Sequence, residues 1–185
     1  MKRTTMLGMV ILAALAIGGA NAISVSASGH EFIASKTGKT KSKSTNSQIF
    51  STTAGTIECL KASGTGEITA LTSATHKETI TYSECSGLGK KLTVSAAAFE
   101  FNANGPAKLE SQVVIKGPGL GCEILIEPQT DESLGYETVS GDLKSKASIS
   151  SIKIIGTGGL CGGDSEASYS GTIKGELEGG TLEWK

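Results

Sequence analysis

The sequence predicts an all-β fold: an antiparallel β-sandwich or barrel-like domain, stapled by disulfides, that comes after a cleaved signal peptide. Three observations predict it. Short runs alternate apolar and polar residues with a period of two, which is the pattern of half-buried strands. Glycine and asparagine interrupt these runs about every ten residues, as in all-β domains. Four cysteines lie beyond an export signal, and an oxidising compartment favours disulfides.

The N-terminus has the parts of a secretory signal peptide. Lys2 and Arg3 form a basic segment, the apolar run MLGMVILAALAIGGA comes next, and the small residues of Ala20-Asn21-Ala22 suit a signal peptidase. The apolar run is shorter than the roughly 20 residues that span a bilayer. We therefore expect residues 1–22 to be removed as a signal peptide, and we expect no membrane span in residues 23–185.

The predicted mature chain, residues 23–185, suits a single secreted domain of ordinary size. Its cysteines bracket two lobes of that domain, about 48–105 and 106–185. Removing the positive charges of Lys2 and Arg3 changes the net charge from −1 to −3 and leaves no arginine. Proteins that read nucleic acids depend on arginine and a positive field, so we predict no nucleic-acid partner.

Alternation assigns the apolar residues of each predicted strand to one face. Ile80 and Tyr82 share a face in KETITYS, while Phe99 and Phe101 share another and are predicted to lie in the core. The remaining predicted faces are Leu92, Val94, Ala96 and Ala98; Leu109, Val113 and Ile115; Ile124 and Ile126; Ile152 and Ile154; and Ile173, Leu177, Leu182 and Trp184. Only Gln129 to Tyr136, QTDESLGY, could hold a helical turn.

The segment KTGKTKSKSTNS alternates lysine with small hydroxyl residues. As a strand it would place Lys39, Lys41 and Lys43 on one face and small hydroxyl side chains on the other. Lysine on an edge strand prevents edge-to-edge aggregation, so we predict an edge strand or a loop here. A binding site for anionic polymers is the alternative.

Four segments together resemble a known group of proteins: IFSTTAGTIECLKASGTG, TYSECSGLG, GLGCEILIEPQ and ASYSGTIKGELEG. The group consists of small secreted β-rich proteins from high-GC Gram-positive soil bacteria, and the resemblance spans about Phe32 to Gly179. It implies architecture and export, without an activity. Members of the group carry a further cysteine pair, whose places here hold Ala98 and a residue near Val113.

The four cysteines, Cys59, Cys85, Cys122 and Cys161, form the predicted disulfide framework. Their number alone allows three connectivities. The resemblance implies that both members of one disulfide of the group are absent together. It thereby implies the pairs Cys59–Cys85 and Cys122–Cys161.

The glycine-rich stretch GTGGLCGGDSE, Gly156 to Glu166, is the most distinctive segment of the chain. It lacks the lysine of a phosphate-binding loop, and Cys161 has no cysteine or histidine close by for zinc. We predict no metal or cofactor site and interpret the stretch as a tight loop around a disulfide. Acidic residues that could hold calcium are the alternative, although the alternating ligands of a calcium loop are missing. These acids are Asp131, Glu132, Asp164 and Glu166.

Catalytic candidates are few. His30 lies near the predicted new N-terminus, and His76 lies in a predicted polar turn, where we expect a solvated side chain. No G-x-S-x-G nucleophile motif is present. We predict no catalytic residues and no enzyme, with a carboxylate pair left open because sequence does not give distances in space.

These observations predict a secreted protein, extracellular or associated with the cell surface, with a non-enzymatic structural or interaction role. A glycan- or cell-wall-binding module is the alternative, using Trp184, exposed tyrosines among Tyr82, Tyr136 and Tyr169, and the lysine strand. A hydrolase of unrecognised type is the third hypothesis. The partner would be a cell-wall polymer or another protein.

Overall fold

The computed structural model describes residues 29–87, 89–117, 121–131, 134–158, 161 and 163–185. The predicted signal peptide and the predicted new N-terminus at Ile23 lie outside these residues. The regular elements of the described residues are all strands, which confirms the all-β prediction. In this part of the chain no helix is long and apolar enough to cross a membrane.

The described residues contain sixteen strands. In chain order they are β1 Phe32–Ala34, β2 Gly38–Ser44, β3 Gln48–Thr52, β4 Gly55–Ile68, β5 Thr72–Ser73, β6 Thr75–Gly87, β7 Lys90–Val94, β8 Ala97–Asn102, β9 Ala107–Leu109, β10 Val113–Lys116, β11 Glu123–Ile126, β12 Thr130–Asp131, β13 Leu134–Val139, β14 Asp142–Thr157, β15 Gly163–Leu177 and β16 Leu182–Trp184.

Eight of these strands close into an antiparallel ring. Its order is β3, β4, β6, β7, β10, β11, β14 and β15. The ring is closed by β15 pairing with β3, where Tyr169 stands opposite Phe50. The predicted barrel-like form is therefore present, and each ring strand has a pairing partner on both sides.

The ring continues into a second level built on the same long strands. There β2 lies between β15 and β4, β8 and β9 extend the sheet beyond β6, and β13 pairs with β14. The Gln129 side chain, next to β12, accepts a hydrogen bond from Lys153 N at 2.9 Å and donates one to Lys153 O at 3.1 Å. This side chain therefore links β12 to β14 in the way that a strand pairing would.

Each level has its own hydrophobic core. The ring core surrounds both disulfides and contains Phe50, Ile57, Leu92, Ile115, Ile124 and Ile154. The second core joins β1, β16 and the second level, and contains Phe32, Ile68, Ile80, Phe101, Leu143 and Leu182. Predicted core positions Phe99 and Phe101 pack in these clusters with ring centroids 5.7 Å apart.

Between the two levels the alternation of inward and outward residues shifts by one position, and one predicted strand face is therefore wrong. Along β7 and β8 the inward positions are Leu92 and Val94, and then Ala97, which is fully buried, whereas Ala96 is exposed. The partner strand β6 has a matching irregularity, where the Glu84 backbone lies in the left-handed region at φ 55°. An irregularity of this kind reverses which face each later residue occupies. The predicted face that included Ala96 and Ala98 is therefore wrong beyond Val94.

One further local prediction needs correction. The lysine segment is a strand, β2, but it is not an edge strand, because it pairs with β15 on one side and β4 on the other. In Gln129–Tyr136, where the sequence leaves room for a helical turn, the described residues lie in β12, β13 and the segment before β12, and residues 132 and 133 lie outside the description.

Both disulfides implied by the resemblance are confirmed. Cys59 and Cys85 are directly opposed residues of β4 and β6 and are bonded to each other. Cys122, just before β11, is bonded to Cys161, just before β15. Two bonds within one chain indicate an oxidising compartment.

Candidate functional site: a cavity inside the ring

The inward faces of the strands enclose a cavity of about 110 Å³. Most of its lining is apolar and comes from strands all around the ring, together with β8, β9 and β13 of the second level. Representative lining residues are Ile57, Ala97, Ile115, Ile126, Ile152 and Ile173. Such a lining is a consequence of the sequence, because period-two alternation turns one residue in two toward the interior.

A small group of polar side chains stands in one part of this lining. The Tyr169 hydroxyl donates a hydrogen bond to Gln48 Oε1, and Gln48 Nε2 donates to Asn46 O at 2.9 Å. Tyr82 lines the same cavity. Burial raises the pKa of Tyr82 to about 12 and that of Tyr169 well above its ordinary value. Both phenols therefore stay neutral and act as hydrogen-bonding groups.

Glycines make room for these polar side chains. A Cβ on Gly171 of β15 would lie 2.1 Å from Gln48 Oε1. A Cβ on Gly64 of β4 would lie 2.3 Å from Ser42 Oγ and 2.8 Å from Glu78 Oε1. The side chains of Gln48, Ser42 and Glu78 therefore cross neighbouring strands at positions where only glycine leaves space.

Glu78 brings a carboxyl group to the cavity wall. Its residue is 8% exposed, and its Oε1 has no hydrogen-bond partner among the described residues. Burial raises the pKa of Glu78 to about 7, because the charged form loses its hydration. The neighbouring Ser42 hydroxyl interacts with this carboxyl and partly offsets the rise in its pKa, although Ser42 Oγ, like Glu78 Oε1, forms no hydrogen bond of ordinary geometry in the described chain. Unsatisfied buried groups of this kind are uncommon and call for an explanation.

His76 lies on β6 and is buried, so the expectation of a solvated histidine in a turn is wrong. Its Nε2 lies 3.5 Å from Thr40 Oγ1, its Nδ1 has no partner among the described residues, and its ring meets Phe32 edge-on at 6.3 Å. Burial lowers the pKa of His76 to about 4. The imidazole is therefore neutral at pH 7 and faces Thr40 and Phe32, with no serine nucleophile bonded to it in the described structure.

The predicted glycan-binding aromatics do not gather on one exposed surface of the described structure. Trp184 is partly buried, its Nε1 donates to Ala103 O at 2.7 Å, and His30 stacks on its ring with centroids 4.1 Å apart. Tyr136 is buried near it, whereas Tyr82 and Tyr169 line the cavity. The described residues thus do not combine Trp184 with exposed tyrosines in one sugar-stacking surface.

The lysine face of β2 is exposed but carries mixed charge. Lys41 Nζ lies 2.6 Å from Glu178 Oε1. In the strand pairing, Lys39 stands opposite Glu67 and Lys41 opposite Glu176. The carboxylates interleave with the lysines, which weakens the attraction that an anionic polymer would feel.

Most of the acids considered as calcium ligands near the glycine-rich stretch have no described side chain. Cys161 is buried in its disulfide, and Glu166 is exposed on β15. Residues 159, 160 and 162 of the stretch and Glu132 lie outside the described residues, as do the side chains of Asp131 and Asp164. Among the described residues, no three His, Cys, Asp or Glu side chains are placed to hold a metal ion.

Sequence reasoning missed the polar residues of the cavity wall, Gln48 and Glu78. A signal for Glu78 was present, since it is in phase with the inward residues Ile80 and Tyr82 of KETITYS. Gln48 had no such signal, because it begins a strand whose interior face becomes evident only from the pairing of β3 with β15.

No protein-family model matches this chain. Searches of curated proteins and of solved structures likewise found no match. The evidence for function therefore comes from the geometry of the ring interior.

Proposed function

We propose that the mature chain is an exported, non-enzymatic binding module that takes a small, largely apolar molecule into the ring interior. The observation that carries this proposal is the cavity of about 110 Å³ with its apolar lining and few polar groups. Small-molecule sites in proteins have this composition, in which apolar walls supply affinity and a few polar groups supply orientation.

The size of the cavity limits the ligand. An engineered apolar cavity of about 150 Å³ binds benzene or xenon, and the cavity here is somewhat smaller. The fitting class is therefore a molecule of roughly six to eight non-hydrogen atoms, with an aromatic ring or a short branched chain.

The surrounding framework supports binding because it holds the cavity in shape. The ring closes on itself through β15 and β3, and the disulfide Cys59–Cys85 joins two of its strands. A site that is already formed loses little conformational freedom when a ligand enters.

Export is the second part of the proposal. The signal peptide predicted at residues 1–22 and the two disulfides support a secreted or cell-surface protein. N-terminal sequencing of protein released by the producing cell is expected to begin at Ile23. Released protein that still carries Lys2 would contradict this.

The alternative functions receive less support. His30 stacks on Trp184 and so occupies one face of the indole that a sugar would need. Ion pairing interrupts the lysine face of β2. The burial of His76 keeps its imidazole neutral and away from solvent. A purely structural role is the competing hypothesis, in which the cavity would be a packing defect.

Toluene binding separates a binding module from a purely structural one. We expect toluene to raise the thermal midpoint and to shift amide resonances of β6, β8 and β14. Ala97→Leu, which fills the cavity, should abolish both effects, while Ala96→Leu on the exposed face of the same segment should keep them. Ala147→Leu, at another lining position, provides a second filled variant in case Ala97→Leu folds poorly.

Two results would overturn the proposal. One is no response of the native protein to toluene, benzene or xenon at saturating concentration. The other is equal toluene binding by the filled variants and the Ala96→Leu control, which would place the ligand outside the ring.

A further inference from the structure

We infer that the molecule bound in the ring interior carries a basic nitrogen, which pairs with the carboxylate of Glu78. This inference rests on the proposed function, since it assigns the chemical class of the same ligand. It starts from a buried carboxyl oxygen, Glu78 Oε1, which lines the cavity and has no hydrogen-bond partner among the described residues.

Among the described residues Glu78 forms no ion pair, although it also lines an open surface pocket together with Lys39, Lys41 and Lys77. The polar residues that line the cavity with it are neutral: Gln48, Tyr82, Gln129, Ser145 and Tyr169. Lysine side chains of the described chain that neighbour it in sequence and pairing, such as Lys77, point outward and bond surface carboxylates. His76, on the same face of β6, is buried and neutral at pH 7.

An isolated carboxylate in an apolar interior is costly to ionise. A ligand ammonium within hydrogen-bond distance offsets that cost, because a charge-assisted bond is about twice as strong as a neutral one. Ser42 lies over Gly64 beside Glu78, but it is not part of the cavity lining, and its hydroxyl interacts with the Glu78 carboxyl itself. The acidic group that faces the ligand is therefore Glu78, and an amine is a donor that can pair with it.

Other ligand classes fit this wall less well. A carboxylic acid would bring a second negative charge against Glu78, and two carboxylates sharing a site repel each other. An alcohol can donate one hydrogen bond to the carboxylate, but it brings no positive charge to pair with the carboxylate charge. A hydrocarbon leaves Glu78 Oε1 without a hydrogen-bond partner. The expected order of affinity is amine, alcohol, hydrocarbon, then acid.

The test uses four probes of similar size: benzylamine, benzyl alcohol, toluene and benzoate. Each is titrated by calorimetry into the native protein, into Glu78→Gln, and into Glu67→Gln, whose carboxyl is exposed on the adjoining strand. We expect the native protein to prefer benzylamine to benzyl alcohol by roughly tenfold, the scale of a charge-assisted bond. Glu78→Gln should lose that preference and keep its toluene affinity, while Glu67→Gln should behave as the native protein does.

The outcomes separate this inference from the proposed function. If toluene binds but benzylamine shows no preference, or keeps its preference in Glu78→Gln, the amine inference is wrong and the binding module stands. If none of the four probes binds, the proposed function fails and the inference fails with it. The ranking in the native protein decides the matter even if Glu78→Gln folds poorly.

Discussion

His76 and Glu78 lie two residues apart on the inward face of β6, both are buried, and neither forms an ion pair with a described residue. Burial disfavours the charged form of each group. It therefore lowers the pKa of the histidine to about 4 and raises the pKa of the glutamate to about 7. The two groups make the stability of the domain depend on pH in opposite directions.

Glu78→Gln should increase stability at neutral pH. A folded-state pKa of about 7, above the ordinary 4.5, means that the folded protein holds this proton more tightly than the unfolded chain does. The stability that this tighter proton binding contributes is therefore fully present below pH 4.5 and is lost as the pH rises to about 7. The variant should gain up to roughly 3 kcal/mol over the native protein between pH 4.5 and 8, measured by urea unfolding at each pH. A difference in unfolding free energy between the two proteins that stayed constant across this pH range would contradict the burial of a lone carboxyl.

His76→Gln should have the opposite effect on the slope of the free energy of unfolding against pH. The folded-state pKa of about 4 lies below the ordinary 6.5, so the folded protein holds this proton less tightly. The native protein therefore loses stability as the pH falls from 6.5 to 4. We expect the native curve to be nearly flat from pH 4.5 to 6.5, where the two slopes cancel, and the curve of His76→Gln to fall with rising pH. Parallel curves for the two proteins would refute this assignment.

Gly171→Ala tests the crossing of the Gln48 side chain over β15. A Cβ there would meet the amide of Gln48, which is 2% exposed and bonded to Asn46 and Tyr169. Because the amide has little room to move, we expect a loss of about 1–3 kcal/mol in the free energy of unfolding. Gly175→Ala on the same strand is the control, since its nearest neighbour, Leu143 O, lies 3.7 Å from the added Cβ. Equal effects of the two substitutions would show that Gln48 is not held in place.

Removing either disulfide should weaken the fold severely. The bonded cysteines are 26 and 39 residues apart, and loops of this size restrict the unfolded chain by roughly 3–4 kcal/mol each. Domains of this kind have a total stability of about 5–15 kcal/mol. We expect the double variants Cys59→Ala/Cys85→Ala and Cys122→Ala/Cys161→Ala each to unfold at much lower urea concentration. Unchanged midpoints in both double variants would contradict this role.

The sequence allowed the strands to be predicted because alternation is a local property. Ile80 and Tyr82 face inward as expected, and so do Ile152 and Ile154. The reversal at Ala97 could not be predicted, because it depends on matched irregularities in two paired strands. Such matching involves residues distant in sequence.

The cavity wall was harder to predict for a different reason. Next to the cavity wall, the inward residues Thr40, Ser42 and His76 are polar, so hydrophobic alternation gives no signal for them, whereas Glu78 could have been found from its phase with Ile80 and Tyr82. The edge position predicted for β2 failed because lysines face solvent on a paired strand as they do on an edge strand. Only the pairing of β2 with both β15 and β4, a long-range property, distinguishes the two cases.

Xenon binding in a crystal tests the central claim most directly, because xenon enters apolar cavities without needing a polar group. We predict one strong anomalous peak inside the ring, in contact with Ala97, Ile115 and Ile152, and no such peak in Ala97→Leu. A native crystal that shows no xenon in the ring, or shows hydrogen-bonded waters filling the interior from Glu78 to Tyr169, would contradict an apolar binding cavity.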